Sequence, residues 1–202
     1  MNVTIYTIGH STHNLQHFIG LLKLHELKSV ADVRQSPYSG IAPQFNRETL
    51  KNVLLGQQIK YVFLGNLLGA RPTDPACYKD GKVDFDILAE QSYFKEGIER
   101  LRKGMRKIRI ALMCAEKDPL ACHRTILVCR NLKCEDLRIL HILEDGELED
   151  HRDTENQLLN SLNMPSYDMF KSRNEILNDA YRQFGRKIAV KEEAHSQPHI
   201  KL

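Results

Sequence analysis

Two periodicities alternate along this chain, and few folds accommodate that alternation. Short β-branched runs and stretches of helical spacing take turns from residue 3 to residue 143. Val3 to Ile8 (VTIYTI) reads as a strand stopped by Gly9. Asn14 caps a helix predicted over Leu15 to Leu27, where Leu15, Phe18, Ile19, Leu22 and Leu27 recur at helical spacing. Ser29 to Val33 is a second strand, followed by a Ser/Pro/Gly-rich loop from Arg34 to Gln44. Asn46 caps the next helix, with Gly56 as its glycine stop. Ile59 to Leu64 is the third strand, and a helical stretch from Asp84 to Met105 breaks near Gln91. Ile108 to Met113 is the fourth strand. With Asp118 as cap and Pro119 as first helical residue, a helix is predicted to carry His123 to Leu132. Leu137 to Leu143 is the fifth strand, and Asp145-Gly146 signals a turn toward a short edge strand over Leu148.

Buried-type strands separated by helices predict an α/β fold: a three-layer Rossmann-like domain with a mostly parallel five-stranded sheet. Beyond Asp153 the pattern is helical only, around Thr154 to Leu162 and Ser172 to Phe184, which adds extra C-terminal helices. The expected organisation is an α/β domain over residues 1–150, a helical extension packed on it over 151–186 and a flexible tail over 187–202. His195 and His199 in that tail are expected to be solvated. No apolar run approaches the roughly 20 residues of a membrane helix. The opening MNVTIYTIGHS lacks the basic-then-apolar layout of a secretion signal. The expectation is therefore a cytoplasmic protein with no membrane partner.

Charge excludes less. The 29 basic and 26 acidic side chains leave a formal +3, too mild to demand a nucleic-acid partner. The charges are unevenly spread: Lys95 to Arg109 holds seven cations against two acids, and Lys133 to Glu155 nine acids against three cations. The first stretch reads as a solvated face or a phosphate-backbone contact, without interleaved aromatics for base stacking. Five cysteines (Cys77, Cys114, Cys122, Cys129 and Cys134) form no CxxC pair and no disulfide framework, so reduced thiols are expected.

In an open parallel sheet the loops after the strand C-termini share one edge, where ligands bind. Strand one leads there to His10 and Ser11, strand two to Asp32 and Arg34, and strand three to Gly65, Gly69 and Arg71. Strand four leads to Cys114, Glu116, Cys122, His123 and Arg124, and strand five carries His141. A cysteine in the first turn of a helix beside His123 and Arg124 meets conditions that favour thiolate, which serves as nucleophile, metal ligand or redox sensor. The same helix end can hold an anion, with Arg124, Arg34 and Arg71 contributing. Cys114, Cys122 and a histidine (His123, His141 or His10) could alternatively hold a metal, with Glu116 orienting a water. Asp32 and Arg34 either pin their loop or act as base and anion holder. No GxGxxG, Walker or GxSxG pattern occurs, so a dinucleotide-binding or serine-hydrolase assignment has no support, and the sequence leaves the cofactor unknown.

TIGHS (Thr7 to Ser11), DVRxxPxS (Asp32 to Ser39), LGxxLG (Leu64 to Gly69) and CAExDPxxCHR (Cys114 to Arg124) together resemble the domain of unknown function (DUF) 488 family, over roughly residues 3 to 143. The resemblance implies a Rossmann-like α/β domain in a largely prokaryotic family without a settled reaction. It also implies His10, Ser11, Asp32, Arg34, Cys114, Glu116, Cys122, His123 and Arg124 as motif residues. Three functions follow as expectations. The first is an enzyme acting on an anionic, phosphate-containing nucleotide-like or nucleic-acid substrate. Cys122, Glu116, Asp32 and His10 would be its catalytic groups. Ser11, Arg34, Arg71, Cys114, His123 and Arg124 would bind substrate. The second is a nucleotide- or nucleic-acid-binding sensor without turnover. The third is a metal-binding protein using Cys114, Cys122 and a histidine.

Overall fold

A computed structural model describes residues 3–191. Its central sheet has six strands in the order β3-β2-β6-β1-β7-β8. The strands are β1 (Val3–Gly9), β2 (Ser29–Asp32), β3 (Lys60–Phe63), β6 (Ile110–Cys114), β7 (Leu137–Ile142) and β8 (Leu148–Asp150). The first five of these pair in parallel, and β8 alone runs antiparallel, against β7. The sheet thus has one strand more than the five expected, the extra one following the Asp145-Gly146 turn. A separate two-stranded ribbon, β4 (Tyr78–Lys79) with β5 (Lys82–Val83), fills the long connection after β3.

Strand alternation sorts the core into two layers, because successive side chains face opposite sides. Ile110, Leu112 and Cys114 of β6 face one side, with Ile5 and Ile139. Against them pack α5 (Ser92–Met105) through Phe94, Ile98 and Leu101, and a π-helix (Arg124–Cys129) through Ile126 and Leu127. Two late helices join the same core: α7 (His151–Ser161) through Leu158 and Leu159, and α8 (Arg173–Ile188) through Ile176, Leu177 and Ala180. Ala111 and Met113 face the other side, under α1 (Leu15–Leu24) and α2 (Arg47–Gly56), which bury Phe18, Leu22, Leu50 and Leu54. Each of these leucines contributes about 1.5–3 kcal/mol by leaving water.

Local chemistry sets the helix ends. The Asn14 side chain accepts from His17 N at 2.8 Å and starts α1 where expected, but α1 stops at Leu24, short of Leu27. Gln91, in extended conformation, separates α4 (Phe85–Glu90) from α5. Asn46 stands at the head of α2, yet its side chain accepts from Ser39 N instead of capping the helix. Gly56 is the last residue of α2 rather than its stop, and the left-handed turn falls on Gln58 (φ 60). Ser172 and Glu175 form a reciprocal capping box on α8. Val190 O accepts from Val83 N, and Lys191 bridges to Lys82, so α8 and the residues after it are tied to β5. The remainder of the tail, with His195 and His199, lies outside the described residues.

The helix expected from Pro119 starts only at His123. Asp118 instead accepts from Leu120 N in a local turn, and Cys122 O receives the first helical hydrogen bonds, from Thr125 and Ile126. The π-helix then passes into α6 (Arg130–Leu132). Such wide turns are frequent at functional sites.

Candidate functional site: a thiol rim at the end of β6

Three strand ends are joined edge to edge here. Gly9 sits in register with Cys114, and Asp32 with Met113. Beyond the ladder His10 N donates to Cys114 O at 2.9 Å, Ser11 N to Ala115 O at 2.8 Å and Val33 N to Met113 O at 3.1 Å. Two glycines permit this crowding. A Cβ on Gly9 would overlap the Glu116 carbonyl oxygen, and one on Gly65 the Arg34 carbonyl oxygen.

Four donor-bearing side chains converge on the loop between β6 and the π-helix. One ligand atom from each of Cys114, Glu116, Cys122 and His123 lies within 4.8 Å of the others. Glu116 Oε2 accepts from both thiols, Cys114 at 2.9 Å and Cys122 at 3.0 Å. His123 Nδ1 stands 3.5 Å from Cys114 Sγ. Its Nε2 lies 3.1 Å from Val33 O, and since a carbonyl can only accept, that nitrogen carries the proton and Nδ1 faces the thiols. Both cysteines are buried, His123 is half-buried and Glu116 is exposed, so the cluster meets solvent through its carboxylate.

Arg124 lies beneath this cluster, fully buried. Its Nη1 donates to Glu116 O at 2.6 Å, Nη2 to Lys117 O at 3.1 Å and Nε to Thr7 Oγ1 at 3.4 Å. Its backbone N–H caps Cys122 Sγ at 3.4 Å. Among the described residues no carboxylate pairs with the guanidinium, and the groups that favour its charge are the sulfurs of Cys122 and Cys114. A buried cation without a counter-ion is costly, so the thiol pair is where the compensating charge belongs. Burial opposes ionisation of Cys122, but the Cys114 hydrogen bond, the Arg124 charge and His123 outweigh it and hold this thiol well below the usual range. Burial, the Cys122 contact and the Glu116 charge push Cys114 the other way. Burial lowers His123, and its contacts with Cys122 and Glu116 more than offset this and raise it.

A second cluster adjoins it. Asp32, fully buried, accepts from Arg34 Nε at 2.9 Å, Arg34 Nη2 at 2.6 Å, Arg34 N at 3.0 Å and Tyr61 OH at 2.6 Å. Arg34 also donates to Phe45 O and to His10 Nε2. Arginine cannot accept, so His10 carries its proton on Nδ1 and donates to Ser11 O at 2.8 Å. Burial first, and then the Arg34 charge, lowers the His10 pKa to about 4, leaving a neutral ring stacked on Phe45. Asp32 and Arg34 thus pin the loop, one of the two roles expected for them. Ser11 takes a left-handed turn (φ 47) beside them.

The rim therefore joins Cys114, Glu116, Cys122 and His123 in one cluster and His10, Asp32 and Arg34 in another. Arg34 and Arg124, expected to hold an anion, have their guanidinium groups buried in internal bonds. Arg71 stands exposed. His141, weighed as a metal ligand, is buried elsewhere, with Nδ1 2.7 Å from Thr7 Oγ1 and Nε2 3.0 Å from His151 Nδ1. From there a chain of polar groups missed in the sequence continues. His151 Nε2 meets Tyr181 OH at 3.1 Å, Tyr181 donates to Glu155 at 3.0 Å, and Lys133 donates to Glu155 at 2.6 Å. The sequence signals were a Thr and a His inside otherwise apolar strands. A groove of about 650 Å³, lined in part by Lys133, His151, Glu155 and Tyr181, opens at the far end of this chain.

The family described as Domain of unknown function DUF488 matches residues 14–130. That span contains Asp32, Arg34, Cys114, Glu116, Cys122, His123 and Arg124, and leaves out His10 and Ser11. No curated protein and no solved structure matches the chain.

Proposed function

The chain belongs to the DUF488 family, and we propose that it is a metalloprotein whose centre is built by Cys114, Cys122, His123 and Glu116. The observation that carries this reading is the convergence of two thiols, one imidazole nitrogen and one carboxylate within 4.8 Å. Sulfur and nitrogen donors select a thiophilic ion, and a tetrahedral set suits zinc. With metal–sulfur and metal–nitrogen bonds of about 2.3 and 2.0 Å, tetrahedral ligands stand roughly 3.5 Å apart. That is the separation of Cys114 Sγ and His123 Nδ1. The shorter sulfur–carboxylate contacts are thiol hydrogen bonds, whose protons the ion would replace. Val33 O fixes the His123 tautomer, as outer partners do for metal-bound imidazoles. Arg124 supplies the charge that an electron-rich centre of two thiolates requires.

Three ligands rooted in buried or half-buried positions and a fourth on an exposed side chain give the layout of a catalytic rather than a closed structural site. The ion would act there as a Lewis acid on a bound substrate. For a phosphate-containing, nucleotide-like or nucleic-acid substrate, Arg71 is the exposed guanidinium of the three first considered. The test is elemental analysis of protein purified without chelator. About one zinc per chain, lost on Cys122→Ser, is expected. Protein that carries no zinc and develops no thiolate-to-metal absorption with added Co(II) overturns the reading.

A second reading, an enzyme with a thiolate nucleophile, is favoured by the surroundings of Cys122, whose Sγ accepts from Arg124 N at 3.4 Å above the buried guanidinium, conditions that lower a thiol pKa. In metal-free protein a thiol-reactive probe near neutral pH would then label Cys122 faster than the buried Cys129, whose pKa is raised by burial. Equal, slow labelling of both would overturn it.

A further inference from the structure

Glu116 differs from its companions in having a fixed backbone and a loose side chain. Its carbonyl is held by Arg124 Nη1 at 2.6 Å and lies so close to Gly9 that no Cβ fits between. Its carboxylate is exposed, and the side-chain hydrogen bonds it makes come from the two thiols. Those bonds need the thiol protons, which are lost when both sulfurs bind a metal. In the loaded centre the carboxylate therefore either ligates or swings into solvent.

Charge decides what can replace it. Two thiolates and a carboxylate against a divalent ion and one guanidinium make a neutral closed centre. Arg124 cannot adjust, because it is fully buried and tied to Glu116 O, Lys117 O and Thr7 Oγ1. Departure of Glu116 leaves one positive charge uncompensated beside a coordination place that faces solvent. On these grounds we infer that the centre accepts an oxygen monoanion, the carboxylate or phosphate ester of a substrate, in exchange for the Glu116 side chain. A neutral ligand would leave that charge on Arg124, which is fully buried and poorly screened. The inference rests on the metal reading and adds to it the ligand class and the residue that makes way. Arg124 acts as a positioning and charge-setting residue and does not touch the ligand.

The test uses the full chain loaded with Co(II), whose visible bands report the coordination sphere, titrated with acetate, dimethyl phosphate and neutral acetamide. Wild type should show a saturable band shift with an anion and none with acetamide. Glu116→Gln should bind the same anion about tenfold more tightly, its internal competitor having lost its charge, while keeping the thiolate-to-cobalt absorption. A response to acetate alone assigns a carboxylate, and one to dimethyl phosphate alone a phosphate diester. Equal affinity in the two proteins, no anion response in either, or loss of cobalt from Glu116→Gln overturns the inference while leaving the metal centre standing. Wild type that takes up no cobalt overturns both.

Discussion

Two buried polar assemblies meet at Thr7 and Arg124, and they differ in how completely their partners are matched. On one side runs the chain from Thr7 through His141, His151 and Tyr181 to Glu155 and Lys133. Tyr181 must donate to the carboxylate, so it accepts from His151 Nε2–H. His151 Nδ1 then accepts from His141 Nε2–H, and His141 Nδ1 from the Thr7 hydroxyl. Every hydrogen points the same way, and the chain ends on an ion pair. On the other side lies the thiol rim, with a buried guanidinium lacking a carboxylate and two thiols sharing one acceptor oxygen. A fully matched network contributes rigidity, and the rim differs from it in holding a buried charge with no carboxylate partner among the described residues. The difference separates scaffold from candidate site, even though both hold histidines and both are buried.

Acid should strain both assemblies, with the largest effect. His10 beside the rim and His151 in the matched chain are held near pKa 4, burial being the main cause for each. Their unfolded counterparts take up protons below about pH 6.5, so stability is constant above that value and falls as the pH drops toward 4. The loss is up to about 3 kcal/mol for each residue. Urea unfolding across this range checks it, and a flat profile would remove the buried neutral histidines from the account.

The next three changes pull the assemblies apart. Cys122→Ser should lower metal affinity about a hundredfold, which is about 3 kcal/mol of binding. Competition with a chelator measures it. Tyr181→Phe should do the reverse: it strands the His151 N–H and costs about 2 kcal/mol of stability with metal content unchanged. Lys133→Gln removes a partly exposed partner of Glu155 and should cost about 1 kcal/mol, again without touching the metal. If Tyr181→Phe released metal, the matched chain would belong to the site after all.

The five parallel strands were legible because burial on both faces demands near-continuous apolar runs, as in IALM of β6. The edge bearing the motif residues followed from topology alone. What eluded the sequence was the state of each group on that edge. Arg34 and Arg124 have the residue type an anion site uses. Their donors are taken by Asp32, Phe45 O, Glu116 O and Lys117 O, partners that only the folded chain supplies. The same bonds reshape the chain before Arg124, so the Asp118-Pro119 helix signal, sound by local rules, loses to a turn. The matched chain was invisible because its links join residues 134, 30 and 26 positions apart.

The interior place of β1 has a consequence for how the molecule is made. Val3–Gly9 is synthesised about a hundred residues before its neighbours in the sheet, β6 and β7. Until residues 110–142 emerge, this apolar ribbon has no permanent partner, and pairings of such long sequence separation form slowly. Assembly of the thiol rim is thereby deferred: the backbone of Cys114 cannot be secured by His10 until the chain has been made past residue 114. A nascent chain stalled before that point would present free thiols and an unshielded strand to the quality-control machinery.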